Sequence, residues 1–254
     1  MIPKIIHLCW LSGDPYPTEI QACLDTWKKF LPDYEVWLWD TKRFDIHSTQ
    51  WTEQAFAARK YAFAADYIRL YALYNYGGIY LDADVLVYKS FDPLLSLPYF
   101  IGEDHDGSFE AAVIGAEKHL SFIKHLLDYY DGRSFVKEDG AYETDVPLPL
   151  IFRKQLMAGG YAFRRISGGQ DYPLEEGVLN VFPFDYFNSR DRLGARKYAN
   201  SYCSHNFAGS WCGKPKGAKD RLKRSLPRPL LRMMLAITSW LHRKRLREYK
   251  IPFT

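Results

Sequence analysis

Residues 63–85 read FAADYIRLYALYNYGGIYLDADV. Apolar residues on several faces of the first part predict a long helix over 52–75, buried on more than one side. Gly77-Gly78 stops it. Ile79-Tyr80-Leu81 follows as a short strand, runs into Asp82-Ala83-Asp84 and resumes as Val85-Leu86-Val87. Upstream, Ile5, Ile6 and Leu8 mark a buried first strand that ends at Trp10 and the turn-rich SGDPYP. A helix is expected over 18–30, opened by Thr18 as N-cap, and a second strand over 34–40. Strand, helix, strand, helix, strand in that order argues for a mainly parallel sheet flanked by helices, an α/β fold of Rossmann-like type. Ligands of such sheets collect beyond the carboxyl ends of the strands, where Trp10 and the acidic pair both fall.

Downstream, 100–102 and 111–115 read as further strands, 118–130 as a helix, 131–147 as a polar loop and 148–158 as another helix. The glycine-punctuated stretch 159–169 yields no clear element.

The chain has 254 residues, enough for one substantial domain without disulfides or metals to stabilise it. The 19 Tyr, 16 Phe and 7 Trp supply core and also faces suited to stacking on bases and sugar rings. Cys9, Cys23, Cys203 and Cys212 form no C-x-x-C pair, which favours reduced thiols and a cytoplasmic setting. No stretch reaches the ~18 to 20 apolar residues of a spanning helix. The net charge of +4 is unevenly placed: residues 214–250 hold thirteen Lys and Arg against Asp220 and Glu248, so that segment is +11 and residues 1–213 are −7. The basic character belongs to the tail, which argues against a nucleic-acid groove spread over the fold.

Two carboxylates two residues apart at a strand end can face one hard divalent cation if the backbone turns between them, leaving positions for phosphate oxygens. Such an ion neutralises a departing diphosphate. Alone, D-x-D is also the pattern of a solvated turn; here it follows an apolar strand, a Gly-Gly and a helix carrying charge inside an apolar surface. Asp66 and Arg69, at i and i+3, project from one face of that helix. They suit either a structural ion pair or a carboxylate and guanidinium that meet donor hydroxyls and phosphate oxygens.

IPKIIHLCW, FAADYIRLYALYNYGGIYLDADV and SHNFAGSW, in that order, resemble the DXD-containing glycosyltransferases of family 32, including capsular-polysaccharide enzymes, and more distantly the glucosylating domains of clostridial toxins. The resemblance covers about residues 2–95 and 200–212. It implies a GT-A fold, a UDP-sugar donor, a divalent metal (Mn2+ or Mg2+) and transfer of a hexose with retention of configuration. Carried across by position, it places Trp10 against the nucleobase with the backbone around Ile6 and His7 lining that pocket. Asp66 and Arg69 meet ribose and donor sugar, Asp82 and Asp84 hold the metal, and His205 helps coordinate metal or diphosphate. Ser210 and Trp211 match a loop that closes over the diphosphate. Many relatives carry two adjacent histidines where this chain has His205-Asn206, so only the first is carried across. Asp66, Arg69 and Asp84 are the expected catalytic residues. Asp104, Asp106 and Glu110 lie in a polar stretch that is a candidate to meet the acceptor, with no geometry assigned.

Division into a domain over 1–213 and a tail over 214–254 follows from the charge shift. On a helix Leu230, Met233, Met234, Ile237, Trp240 and Leu241 share a stripe with basic residues at both ends, the pattern of a helix lying in an anionic interface. The expected place is the inner face of the cytoplasmic membrane, as a peripheral protein, with a polyprenyl-linked saccharide as acceptor. Two rival readings exist. A phosphohydrolase of haloacid-dehalogenase type also uses strand-D-x-D, but usually nearer the N-terminus and with Thr or Val where this chain has Leu86. A non-catalytic sugar- or membrane-binding module would bind metal without turnover.

Overall fold

The computed structural model describes residues 1–168, 172–188, 190–191, 194–195, 198–206, 230 and 247–254. In chain order the elements are β1 (Ile5–Cys9), α1 (Thr18–Phe30), β2 (Glu35–Trp39), α2 (Gln50–Ala57), α3 (Tyr61–Tyr76), β3 (Gly78–Leu81), β4 (Val85–Val87), β5 (Tyr99–Glu103) and β6 (Phe109–Ala116). Then come α4 (Ser121–Asp128), α5 (Leu148–Ala158), β7 (Ala162–Arg165), β8 (Val178–Val181), α6 (Phe184–Phe187), β9 (Arg190–Asp191), β10 (Gly194–Ala195) and β11 (Cys203–His205).

The central sheet has the order β2-β1-β3-β6-β5. β1 lies parallel to both neighbours, with Ile6 opposite Val36 on one side and Ile79 on the other. β6 and β5 extend this Rossmann-like half in antiparallel sense. The result is the expected α/β class, a Rossmann-like sheet flanked by helices. Side chains of β3 alternate: Ile79 and Leu81 join the apolar layer under α1, with Ile20, Leu24 and Trp27, whereas Tyr80 joins the layer built on α3, with Ile68 and Ala72. Each face of the sheet therefore has its own core.

Three sequence expectations need correction. The helix expected over 52–75 is two helices, because the chain turns at 58–60 with Arg59 at φ 54°. The turn lets α2 fold back on α3, where Trp51 is buried and donates from Nε1 to the carbonyl of Phe63 at 2.8 Å. Thr18 is the first helical residue of α1 and not its cap; Pro17 takes that position and makes no side-chain cap bond. Third, residues 159–181 do contain regular structure, the parallel pair β7 and β8.

The turn between α3 and β3 needs glycine. Gly77 and Gly78 have φ of 67° and 108°, and a Cβ on Gly78 would stand 2.7 Å from the backbone oxygen of Ile5. Gly78→Ala combines left-handed strain with a backbone clash, so a loss of more than ~1 kcal/mol is expected in urea denaturation. A loss below a few tenths would contradict this geometry.

His7 is fully buried on β1. Its Nε2 donates to the Gly77 carbonyl at 2.6 Å and its Nδ1 accepts from Trp39 Nε1 at 3.0 Å, the pattern of a neutral ring. Burial pushes its pKa down from 6.5 to about 4, against the bond to Gly77, which raises it. The unfolded chain therefore takes up a proton below pH 6.5 that the native chain refuses. Stability should be full above that pH and fall by up to ~3 kcal/mol on the way down through 4. A His7 ring titrating near 6.5 in NMR would sink this expectation.

The last residues return to the domain: Ile251 N–H donates to the Gly107 carbonyl at 2.8 Å and Thr254 N–H to the Phe163 carbonyl at 3.0 Å. The amphipathic stripe expected over 230–241 lies outside the described residues except Leu230, as do Ser210 and Trp211. Among the described residues no helix is long and apolar enough to cross a membrane.

Candidate active site

The acidic pair occupies a turn fixed at both sides. Asp82 N–H donates to the Ala112 carbonyl at 2.9 Å, and Val85 N–H closes back onto the Asp82 carbonyl at 3.0 Å. The chain then leaves the main sheet as β4, which pairs with β11 so that His205 stands opposite Val85. Asn206 N–H donates to the Asp84 carbonyl at 2.9 Å. This ribbon brings a residue from the far end of the sequence onto the D-x-D turn.

His205 Nε2 lies 3.3 Å from Asp84 Oδ1. One ligand atom each from Asp82, Asp84 and His205 falls within 4.8 Å of the others, and all three side chains are only partly buried. Two carboxylate oxygens and one imidazole nitrogen form a donor set that suits Mn2+ and accepts Mg2+. Asp66, Asp82, Asp84 and Glu110 crowd this region around Arg69 and His205, a surplus of negative charge that a divalent cation would offset. The three residues therefore fit such an ion.

Arg69 joins this turn to α3. Its Nη1 donates to the Ala111 carbonyl at 2.7 Å and its Nη2 to Asp66 Oδ1 at 2.9 Å, with Asp82 Oδ1 3.4 Å away. The guanidinium also lies 4.5 Å over the Tyr80 ring, and Tyr80 OH donates to Asp82 Oδ1 at 2.7 Å. Burial works against the Arg69 charge, but Asp82, Tyr80 and Asp66 outweigh it and hold the pKa well above the ordinary value. Asp66 is held less firmly. Burial raises its pKa to about 7, Arg69 pulls it down only in part because that guanidinium is shared, and Asp82 pushes it up. An acid so poised can accept or donate a hydrogen bond near neutral pH.

An irregularity in the sheet supplies the anchor points. Along β5 and β6 the register passes from Ile101 opposite Ile114 to Gly102 opposite Glu110, so Ala111 and Ala112 leave the β5 ladder. Their carbonyls are the ones that receive Arg69 and the Asp82 N–H.

Trp10 stands where the sequence places it, just past β1, with a partly exposed ring. Its Nε1 donates to the Asp14 carbonyl at 2.8 Å and its ring leans on Tyr16 at 5.0 Å between centroids. For Ile6 and His7 the expectation concerns the backbone, and their side chains are turned into the core. They sit in the middle of β1 with both side chains fully buried, and the ladder flanks them on both sides. The carboxyl end of the strand lies beyond them, at Cys9 and Trp10.

Two contributors have places in the site that the sequence did not indicate. Tyr80 links Arg69 to Asp82, and its only trace is an aromatic inside the strand before D-x-D. Glu110, left without geometry, is buried and has Oε1 3.3 Å from His205 Nδ1. A lone acid opening an apolar strand was the available signal. Burial lowers the basicity of His205, but Glu110 and Asp84 outweigh it and hold the imidazole pKa well above its usual value. Asp104, on the same side, has its pKa raised to about 7 by burial and by Glu110 and Asp106.

Residues 17–101 match the family described as a glycosyltransferase sugar-binding region containing a DXD motif. An inositol phosphoceramide mannosyltransferase of Schizosaccharomyces pombe is 32% identical over 133 residues, 50% of this chain and 36% of that protein. A mannosyl phosphorylinositol ceramide synthase of Saccharomyces cerevisiae is 33% identical over 223 residues, 83% of this chain and 53% of that protein. The chain thus spans about half or less of these relatives' length. The solved PaToxG glycosyltransferase is 25% identical, with a TM-score of 0.48 over 62% of this chain and 69% of that one. The matched region, which holds α3 and both acids, and the curated relatives support a glycosyltransferase family for this chain.

Proposed function

We propose that this protein transfers a hexosyl group from a nucleoside diphosphate sugar to a hydroxyl of a saccharide or glycolipid acceptor, with a divalent cation at Asp82, Asp84 and His205. The observation that carries this reading is the convergence of those three ligand atoms within 4.8 Å, joined to Asp66 through Arg69. When bound, the cation would supply Lewis-acid neutralisation of the diphosphate. Trp10, just past β1, offers its ring for the base to stack on. Asp66 accepts hydroxyls of ribose or sugar, while Arg69 fixes Asp66 and Asp82 in place and adds positive charge where the leaving group gathers its own. By the family 32 resemblance alone, Ser210 and Trp211 are assigned to the diphosphate.

The finer reading takes UDP as the nucleotide and retention of configuration. Galactose, glucose and their N-acetyl forms are the sugars suggested by the family 32 resemblance. The yeast relatives, named for mannose and inositol phosphoceramide, add mannose as a sugar and an inositol phosphoceramide-type lipid beside the polyprenyl-linked saccharide as acceptor. The division at residue 213 and a peripheral place on the inner face of the cytoplasmic membrane belong to the same reading. Full-length protein should bind anionic vesicles at low salt and a version ending at 213 should not; equal flotation of both removes the tail from it.

A thermal-shift panel of UDP- and GDP-linked hexoses, with and without Mn2+, tests the core of the reading, since binding stabilises the native state by mass action. A shift that needs both Mn2+ and one nucleotide sugar is expected, with slow Mn2+-dependent hydrolysis of that donor. No shift with any donor, or turnover of phosphomonoesters instead, contradicts it.

A further inference from the structure

The geometry points to Glu110 as the positioning residue of the cation site, a carboxylate at ion-pair distance from Nδ1 of His205 that helps aim Nε2 at the D-x-D turn. This rests on the proposed ligand role of His205. The two ring nitrogens face opposite partners, Nδ1 toward Glu110 Oε1 and Nε2 toward Asp84 Oδ1, each at 3.3 Å. Glu110 therefore lies across the ring from Asp84.

Glu110 is itself held. Its Oε1 accepts from the Ala112 N–H at 2.9 Å, and Ala112 in turn receives the Asp82 N–H through its carbonyl. One residue of the irregular strand thus sets the position of the carboxylate behind His205 and of the first acid of D-x-D. The Glu110 side chain is 3% exposed, and its Oε2 is buried with no hydrogen-bond partner among the described residues. Burying a carboxylate so incompletely satisfied is costly, and nearby positive charge is what offsets it. An imidazole that donates Nδ1–H to a carboxylate is fixed in tautomer and orientation and is the more basic ligand at its other nitrogen.

The test is Mn2+ binding to the full chain, by calorimetry and by the nitrogen modulation that a ligating imidazole imposes on the Mn2+ electron spin echo. The unmodified chain should show the modulation, and His205→Ala should lose it. Glu110→Gln keeps an acceptor for Ala112 but loses the charge; it should bind Mn2+ about 10- to 100-fold more weakly, with the modulation reduced and the circular dichroism unchanged. Glu110→Asp keeps the charge but falls short of the ring, and it too should weaken binding. If either folded variant binds Mn2+ within about twofold of the unmodified chain with full modulation, even at a lower melting temperature, the role is structural and the proposal is overturned. An unmodified chain that binds Mn2+ without nitrogen modulation overturns the ligand role of His205, and this inference with it.

Discussion

Asp84→Asn is expected to lower sugar transfer by at least on the order of 10^3-fold while leaving stability within ~1 kcal/mol. The side chain sits where negative charge is crowded, beside His205 and across from Asp82, so removing one charge relieves repulsion as much as it breaks a contact. What fixes the turn is backbone: the Asp84 carbonyl receives Asn206 N–H whichever side chain is present. A cation site, by contrast, loses one of its two anionic ligands. Asp82→Asn is the less clean variant, because Asp82 also accepts from Tyr80 and lies against Arg69. Transfer and donor hydrolysis measured with Mn2+, beside a thermal melt, separate the two effects. Near-normal turnover by a folded Asp84→Asn protein would remove the carboxylate from the site.

Arg69→Met should cost about 3 to 5 kcal/mol of stability, the largest loss expected of any site variant. Arg69 is buried with its Nε lacking an acceptor among the described residues, so its charge is tolerated only through Asp66, Asp82, the Ala111 carbonyl and the Tyr80 ring. Without it, Asp66 remains a desolvated carboxylate with Asp82 nearby and no countercharge, and its pKa should climb beyond about 7. Arg69→Lys should recover little, since one ammonium cannot span three acceptors in the guanidinium's planar fork. Urea denaturation measures both. A loss under ~1 kcal/mol for Arg69→Met would mean that the buried pair is not what holds α3 to the turn.

Much of the site could be read in the sequence because its parts are local. Strand, Gly-Gly, acidic turn and the i, i+3 spacing of Asp66 and Arg69 are short-range features, and helix 148–158 carries its own periodicity and appears at those residues. What stayed hidden depends on distant packing. The break at 58–60 has no glycine or proline to announce it, and Arg59 takes its positive φ because folding α2 onto α3 buries Trp51. That the His7 side chain lies fully inside the core was likewise not legible, because the strand's direction says nothing about how deep each residue lies. Glu110 was legible only as a candidate to meet the acceptor, because its place behind His205 comes from β11, about 95 residues later, and from a register jump in the sheet. Families can be recognised by motifs, but the support behind a motif is three-dimensional.

Crystals grown with Mn2+ and a nucleoside diphosphate, measured at the manganese absorption edge, address the central claim most directly. The account predicts one anomalous peak bounded by Asp82, Asp84 and His205, within ligand distance of all three and of the diphosphate oxygens. A diphosphate bound beside Trp10 with no manganese peak at those residues, or a peak elsewhere, would contradict it.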